Sequence, residues 1–270
     1  MSQEVKVGLA LGGGVARGIA HVGVLQALEE SGIPIHIVAG TSAGSIVGAL
    51  YAAGLDPWLL ERVARELNWR GLVRLRLRRD GLLDAEGLEQ LLRGNIGDLE
   101  FSQLRIPFAA VACDLLTGEE VVFREGRVAP AVRASASMPG VFLPVRMGAR
   151  LLVDGGIVNN VPVSVCRAMG ADYVIGVDLN RPRDRLRPPR NLLHILLYTL
   201  ALLQRPQIEA SLAQADVAIR PDLSEFSVVE LERVSEMVEA GRRATFAAVP
   251  RIRADLERLR AGRAATRTLS

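Results

Sequence analysis

Ser42 stands in Gly40-Thr41-Ser42-Ala43-Gly44, after the apolar run Ile35–Ala39 and before the small, apolar stretch Ser45–Leu50. Glycine on both sides of a serine suits a tight strand-to-helix turn, because a Cβ at either place would clash as the chain reverses. Such a turn pushes the hydroxyl into the open. The helix that follows points its unpaired N–H groups and the positive end of its dipole back toward that hydroxyl. The pattern is that of a serine nucleophile. It needs two further parts: a base to take its proton, and donors for the oxyanion that its attack creates.

Gly12-Gly13-Gly14 supplies candidate donors. It follows the β-branched, apolar run Val5–Leu11, and without side chains its N–H groups can point outward. A dinucleotide-binding turn is the competing use of such a loop. That fingerprint requires glycine three positions after Gly14, where Arg17 stands, with glycine one later at Gly18. It also requires an acidic residue at the end of the second strand, where Gly40 stands. A phosphate-binding Gly-Lys-Ser/Thr is absent as well.

The base is harder to assign. A triad in the order serine, acid, histidine would have to use one of three histidines. His21 falls one turn into the first helix, His36 opens the second strand at the end away from Ser42, and His194 sits in a leucine-rich helix. The alternative is a carboxylate acting directly on the hydroxyl. Asp154, in Val153-Asp154-Gly155-Gly156, ends a strand and is followed by glycines that allow close approach. A carboxylate of ordinary pKa, about 3.9, is a weak base for serine, but burial in an apolar pocket would raise it. Asp-Gly also shapes turns without any chemistry, and that use stays open on the residues alone.

The elements that must position these groups follow from hydrophobic spacing. Val5–Leu11 and Ile35–Gly40 read as buried strands, separated by a helix from Ile19 to Glu30 that Gly32 ends and Pro34 prevents from resuming. This is a β-α-β-α unit with parallel strands and a right-handed crossover, so both glycine turns lie at the carboxyl edge of the sheet. Asp56-Pro57 starts a helix to about Leu67. Leu83–Gly87 starts another that reaches about Leu92. Phe108–Cys113, Glu120–Phe123, Arg150–Val153, Tyr173–Asp178 and Val217–Ile219 read as strands. Val128–Ala136, Pro162–Met169, Asn191–Leu203 and the C-terminus from Val228 read as helices, with Met138–Pro144 as loop. Leu72–Leu77 fits a strand or an amphipathic segment. The expected fold is α/β, a three-layer sandwich on a mostly parallel central sheet. It forms one domain over residues 1–270, with a core at 5–180 and an Arg/Pro loop and helical part at 181–270.

Composition is that of an ordinary globular chain, 49% hydrophobic and 23% charged. Cys113 and Cys166 form no Cys-x-x-Cys and no Cys/His cluster, which argues against structural zinc and a disulfide framework and fits a reducing compartment. No signal peptide is visible, and Leu192–Leu203 is too short to span a bilayer, so a cytoplasmic location is expected. Lys6 is the sole lysine among 33 basic Lys and Arg residues, and two arginine clusters stand out, Arg70–Arg79 and Arg181–Arg190. They read either as solvated faces or as a peripheral contact with an anionic membrane surface. Nothing accompanies them that signals nucleic-acid binding.

The three boxes together resemble the patatin-like phospholipases, in the bacterial branch related to the neuropathy target esterase catalytic domain. Gly12–Gly18 with Ala20–Leu25 is similar to the family's oxyanion loop and first helix. Gly40–Ser45 is similar to its nucleophile elbow, and Asp154–Pro162 to its Asp-Gly-Gly/Ala box with trailing Asn-x-Pro. Cys113–Gly118 and Arg133–Gly140 also resemble that branch. The likeness covers about Val5 to Asp178 and weakens beyond Arg181. It implies a serine lipid acyl hydrolase with a Ser42–Asp154 dyad, an oxyanion held by the amides of Gly12, Gly13 and Gly14, and no metal or cofactor. Substrates would be phospholipids, lysophospholipids, acylglycerols or simple esters.

Arg17, Gly18, Gly40, Gly44, Gly155, Gly156 and Asn160 would support the dyad. Val15, where many relatives carry a fourth glycine, should resist positive φ, which favours Gly13 and Gly14 as donors. Arg17 is expected to bond loop carbonyls, and His21 to pack beneath the glycine turns. Asn159 and Asn160 should cap the Pro162 helix and brace the Asp154 loop. Met138–Leu143 and Leu192–Leu203 are candidates for acyl pocket or lid, with core packing or contact between copies in a homo-oligomer as the competing use. Two other activities stay open: a catalytically weak regulatory module, and an acyltransferase using the same dyad.

Overall fold

The computed structural model describes residues 4–68, 74–78, 81–180 and 192–268. Five strands run parallel: β1 (Val7–Leu11), β2 (Ile37–Thr41), β5 (Phe108–Asp114), β9 (Tyr173–Val177) and β10 (Val217–Ile219). Three more pair antiparallel with a neighbour: β6 (Glu120–Phe123) and β8 (Arg150–Asp154) with β5, and β7 (Val145–Met147) with β8. The order is β10-β9-β1-β2-β5-β8-β7, with β6 also on β5. A separate hairpin pairs β3 (Arg74–Arg78) with β4 (Gly81–Asp84). Leu83 and Asp84 therefore belong to a strand rather than to the expected helix start. The cluster Arg181–Arg190 and, within the cluster Arg70–Arg79, residues 70–73 and 79 lie outside the described residues, as do the side chains of 74–78 and 81–84.

Helices cover both faces. Strand residues alternate between them, as period-2 geometry requires. Leu9, Leu11, Val38, Ala110 and Ile175 face one core, with α1 (Ala20–Glu30), α2 (Ala43–Ala52), α3 (Pro57–Glu66), α4 (Glu86–Ile96), α5 (Val128–Ser135) and α8 (Val234–Thr268) around it. Ala10, Ala39, Ala109 and Val174 face the other, against α6 (Val163–Ala168) and Ile208 and Leu212 of α7 (Leu192–Leu212). Small side chains on that second face let α6 sit close to the sheet.

Two helices differ from the sequence reading. The C-terminal helix begins at Val234, not Val228. The leucine-rich helix runs through Pro206 to Leu212 rather than stopping at Leu203. Its second half is fastened: Ser211 donates to the Val161 carbonyl, and Arg205 donates to Asp178 (3.2 Å) and to the Asn180 carbonyl (2.9 Å). These tertiary bonds offset the N–H that proline lacks.

β5 is the strand on which the rest turns. Val111 pairs with Thr41 of β2 and with Val122 of β6, whereas its neighbour Ala112 pairs with Asp154 of β8 and with Val121 of β6. β6 thus runs along one edge, while β2 and β8 share the other and approach from opposite directions. Their carboxyl ends, Thr41 and Asp154, face adjacent residues of β5.

α3 shows how local chemistry sets an element. The Asp56 side chain accepts from the N–H of Trp58 (2.7 Å) and of Leu59 (3.4 Å), with Pro57 opening the helix. Asp56→Ala removes this cap and is expected to cost about 1 kcal/mol, read from the urea midpoint at unchanged slope.

Candidate active site

Ser42 follows directly from β2 and sits at φ 54°, ψ −123°, a strained conformation for a non-glycine residue. Three bonds hold it there. Its N–H donates to the Ser135 hydroxyl (3.0 Å), and its carbonyl accepts the Ser45 hydroxyl (2.7 Å) and amide (2.9 Å). Close approach on the other side requires glycine: a Cβ on Gly44 would lie 2.1 Å from the Leu11 carbonyl oxygen. The elbow is thereby pressed against the end of β1, where the glycine loop begins.

Asp154 arrives from the opposite direction. Its carboxylate lies beside the Ser42 side chain, which favours its charged form, and accepts from the Gly156 N–H at 2.8 Å. Its own N–H donates to the Ser137 carbonyl (2.9 Å). The segment 135–137 therefore steadies both strand ends. Ser42 is 7% exposed and Asp154 6%. Burial away from water is the main cause of a raised Asp154 pKa, about 6 against 3.8; Ser42 and the Gly156 N–H pull the other way without cancelling it. Desolvation thus turns a poor base for serine into a better one.

The Gly12–Gly14 loop is held at nearly every polar atom. The Gly12 N–H donates to the Val177 carbonyl (3.1 Å), and its carbonyl accepts from His21 Nε2 (2.7 Å). The Gly13 N–H donates to the Asn160 carbonyl (3.2 Å), and its carbonyl accepts from Asn180 Nδ2 (2.8 Å). The Gly14 carbonyl accepts the Arg17 N–H (3.1 Å), and the Ala16 N–H donates to the Val228 carbonyl (3.0 Å). Among the described residues the N–H groups of Gly14 and Val15 carry no such bond. Val15 has φ 53°, which corrects the expectation that a branched residue would resist this region. Bonds on either side fix the turn, and the strain is the consequence.

Around this centre Arg17 is buried and donates from Nη2 (2.9 Å) and Nε (3.3 Å) to the Phe226 carbonyl, so it ties the loop to the C-terminal part. Burial pushes His21 down to about 4, which leaves it neutral and donating through Nε2. His36 lies at the far end of β2, where Nδ1 accepts the Val7 N–H (3.0 Å). The His194 side chain lies outside those described. Gly18 abuts Ala43, and Gly40 abuts the backbone of Gly44.

The expected capping by Asn159 and Asn160 is corrected. α6 starts after Pro162 with no side-chain cap. Asn159 Nδ2 donates instead to Glu120 (2.7 Å) and the Ser164 hydroxyl (3.1 Å), and its carbonyl accepts the Thr41 hydroxyl (2.8 Å). Asn160 lies between the two loops, its Nδ2 donating to Gln204 Oε1 (3.3 Å). Sequence reasoning assigned no role to Ser135, Asn180 or Gln204. Ser135 lies in a segment that resembled the family, but nothing local distinguishes it from its neighbours. Asn180 and Gln204 are distant in sequence and meet the site only through the fold.

Two cavities meet at Ser42. One, of about 140 Å³, is lined by apolar side chains apart from the serine, including Ile19, Ile46, Leu50, Leu88 and Phe142. Ser42, Ile46 and Leu50 mark successive turns of α2, so this cavity follows that helix. The other, of about 70 Å³, lies under α7 and includes Asp154, Asn160, Asn180 and Gln204. Among the described residues no group of His, Cys, Asp and Glu is arranged to hold a metal ion.

The family model for patatin-like phospholipases matches residues 9–167. An NTE family protein of Mycobacterium tuberculosis is 43% identical over 183 residues, covering 66% of this chain and 50% of the relative. A second from the same organism is 35% identical over 274 residues, 90% of this chain and 46% of the relative. The chain thus spans about half the length of these curated relatives. The crystal structure of VipD from Legionella pneumophila matches with a TM-score of 0.61 at 14% identity, over 92% of this chain and 67% of that one. That of the type III effector ExoU matches with 0.55 at 15% identity, over 93% and 54%. At these identities the two structures speak to the fold alone.

The raised pKa has a consequence for stability. The folded state binds the Asp154 proton more tightly than the unfolded chain, whose carboxyl titrates near 3.8. The group therefore favours folding below about pH 4, and that contribution is lost as pH rises through about 6. Asp154→Asn, which keeps the shape without the charge, is expected to be more stable than wild type at pH 8 by up to about 3 kcal/mol. The gap should close by pH 4 in paired urea denaturation curves.

Proposed function

Since the chain belongs to the patatin-like phospholipase family, we propose that it is a serine lipid acyl hydrolase working through a Ser42–Asp154 dyad. The observation that carries this reading is the meeting of two strand ends on one edge of β5. It brings a strained serine beside a buried carboxylate.

In this reading Asp154 takes the Ser42 proton as the hydroxyl attacks an ester carbonyl, and the tetrahedral oxyanion forms beside the glycine loop. The amides of Gly12 and Gly13 are engaged elsewhere, so its donors are the N–H groups of Gly14 and Val15. Asp154 then returns the proton to the leaving alcohol. Water, activated by the same carboxylate, resolves the acyl-enzyme. The apolar cavity along α2 receives the acyl chain, and the reaction draws on no metal or cofactor.

The substrate class implies work at a lipid surface. No helix among the described residues is long and apolar enough to cross a membrane. The outer side of α7, however, exposes Leu192 (80%), Ile195 (49%), Leu202 (66%) and Leu203 (71%). These four side chains make a narrow stripe, smaller than the ~800 Å² per partner of a stable protein interface. A shallow lipid contact fits that area better than a second copy.

Two experiments test the proposal. A fluorophosphonate probe should label wild type and not Ser42→Ala. With p-nitrophenyl esters kcat/KM should rise about tenfold per pH unit below about 6 and level off above it, while Asp154→Asn loses turnover at every pH. An unlabelled wild type, or full activity in Asp154→Asn, would end this reading. At the surface, Leu202→Glu with Leu203→Glu is expected to lower co-sedimentation with anionic vesicles several-fold and leave hydrolysis of soluble esters intact.

A further inference from the structure

Ser42 lines both cavities, but Asp154 lines only the smaller one. The carboxyl that takes the serine proton must later hand it to the departing oxygen as the acyl C–O bond breaks. That oxygen, and the alcohol it belongs to, must therefore lie on the Asp154 side. We propose that the pocket under α7 is the leaving-alcohol subsite, and that Gln204, with Asn160 and Asn180, selects an uncharged, hydroxyl-bearing alcohol of the glyceryl type. This rests on the hydrolase reading above.

The chemistry of the wall supports that class. Its polar side chains beside the dyad are three carboxamides, each able to donate and accept. Asn180 Nδ2 is committed to the Gly13 carbonyl, and Asn160 Nδ2 to Gln204. Asn160 Oδ1 is buried without a hydrogen-bond partner among the described residues, and Gln204 Nε2 lies 3.1 Å from where a Cβ on Gly156 would stand. Unpaired carboxamide capacity beside a reacting centre suits a hydroxyl, which brings one donor and two lone pairs. A phosphate would call for a cation or a forked guanidinium. No described residue lining this pocket is cationic, and Asp154 repels an anion once ionised. Arg205, one residue along α7, is occupied by Asp178 and Asn180.

The division into two chambers makes acyl and alcohol selectivity separable. The measurement compares kcat/KM for three butyrate esters: monobutyrylglycerol, propyl butyrate, and butyrylglycerol 3-phosphate. Wild type should prefer the glyceryl ester to the propyl ester and to the phosphate. Gln204→Leu should reduce the glyceryl-to-propyl ratio about two- to tenfold, the value of one neutral hydrogen bond. Gln204→Glu, close in shape and still an acceptor, should retain more of that ratio and discriminate further against the phosphate. Leu91→Phe, in the wall of the apolar cavity, should shift acyl-length preference and not this ratio. An active wild type that prefers the phosphate ester, or a ratio unmoved in Gln204→Leu, overturns the subsite. A wild type inert toward all three esters and toward the fluorophosphonate probe overturns the hydrolase reading itself.

Discussion

The approach of Asp154 to Ser42 depends on a single topological constraint: two strands end against each other on one edge of β5. β2 runs parallel to β5 and β8 antiparallel, so their carboxyl ends face adjacent residues, Val111 and Ala112. Backbone hydrogen bonds of the sheet, not flexible side chains, thus bring Ser42 and Asp154 together. Rigid elements position reacting groups better than loops do. The glycines serve the same constraint, since a Cβ on Gly155 would lie 2.2 Å from the Val111 carbonyl oxygen, as one on Gly44 would meet Leu11.

Around that contact the structure accepts local costs. Ser42 and Val15 both hold positive φ without being glycine, and Asp154 is buried with its pKa raised. Strain and desolvation persist only where surrounding bonds over-determine the geometry. Here those bonds are the Ser135 hydroxyl on the serine, the Ser137 carbonyl on the aspartate, and His21 and Asn180 on the glycine loop. His21 is a supporting residue rather than a base: burial keeps it neutral, and its Nε2 proton is spent on Gly12. The chain builds its site from a carboxylate and uses its buried histidine as a strut.

Much of the framework was legible in advance. β1, β2, β5 and β9 are short β-branched and apolar runs, buried along their length, and such runs announce themselves by composition. The elbow was legible because glycine on both sides of a serine has few other uses. β7 and the β3–β4 hairpin were not recovered as such, because short strands at an edge carry little periodic signal. The asparagines misled for a related reason. An Asn before a Pro-initiated helix looks like a cap, but a tertiary neighbour, Glu120, competes for the Asn159 side chain and wins.

The sequence by itself pointed to Ser42, Asp154 and the glycine loop, because each is encoded by residue types at fixed short spacing, and turns and strand ends are local physics. Only the tertiary structure decided which amides remain free for an oxyanion. Gly12 and Gly13 spend theirs on Val177 and Asn160, residues far along the chain. Only the fold brought Ser135, Asn180 and Gln204 beside Ser42 and Asp154 and divided the space at Ser42 into an apolar and an amide-lined chamber. Hydrogen-bond accounting of that kind depends on which distant groups share a neighbourhood, and no spacing in one dimension records it.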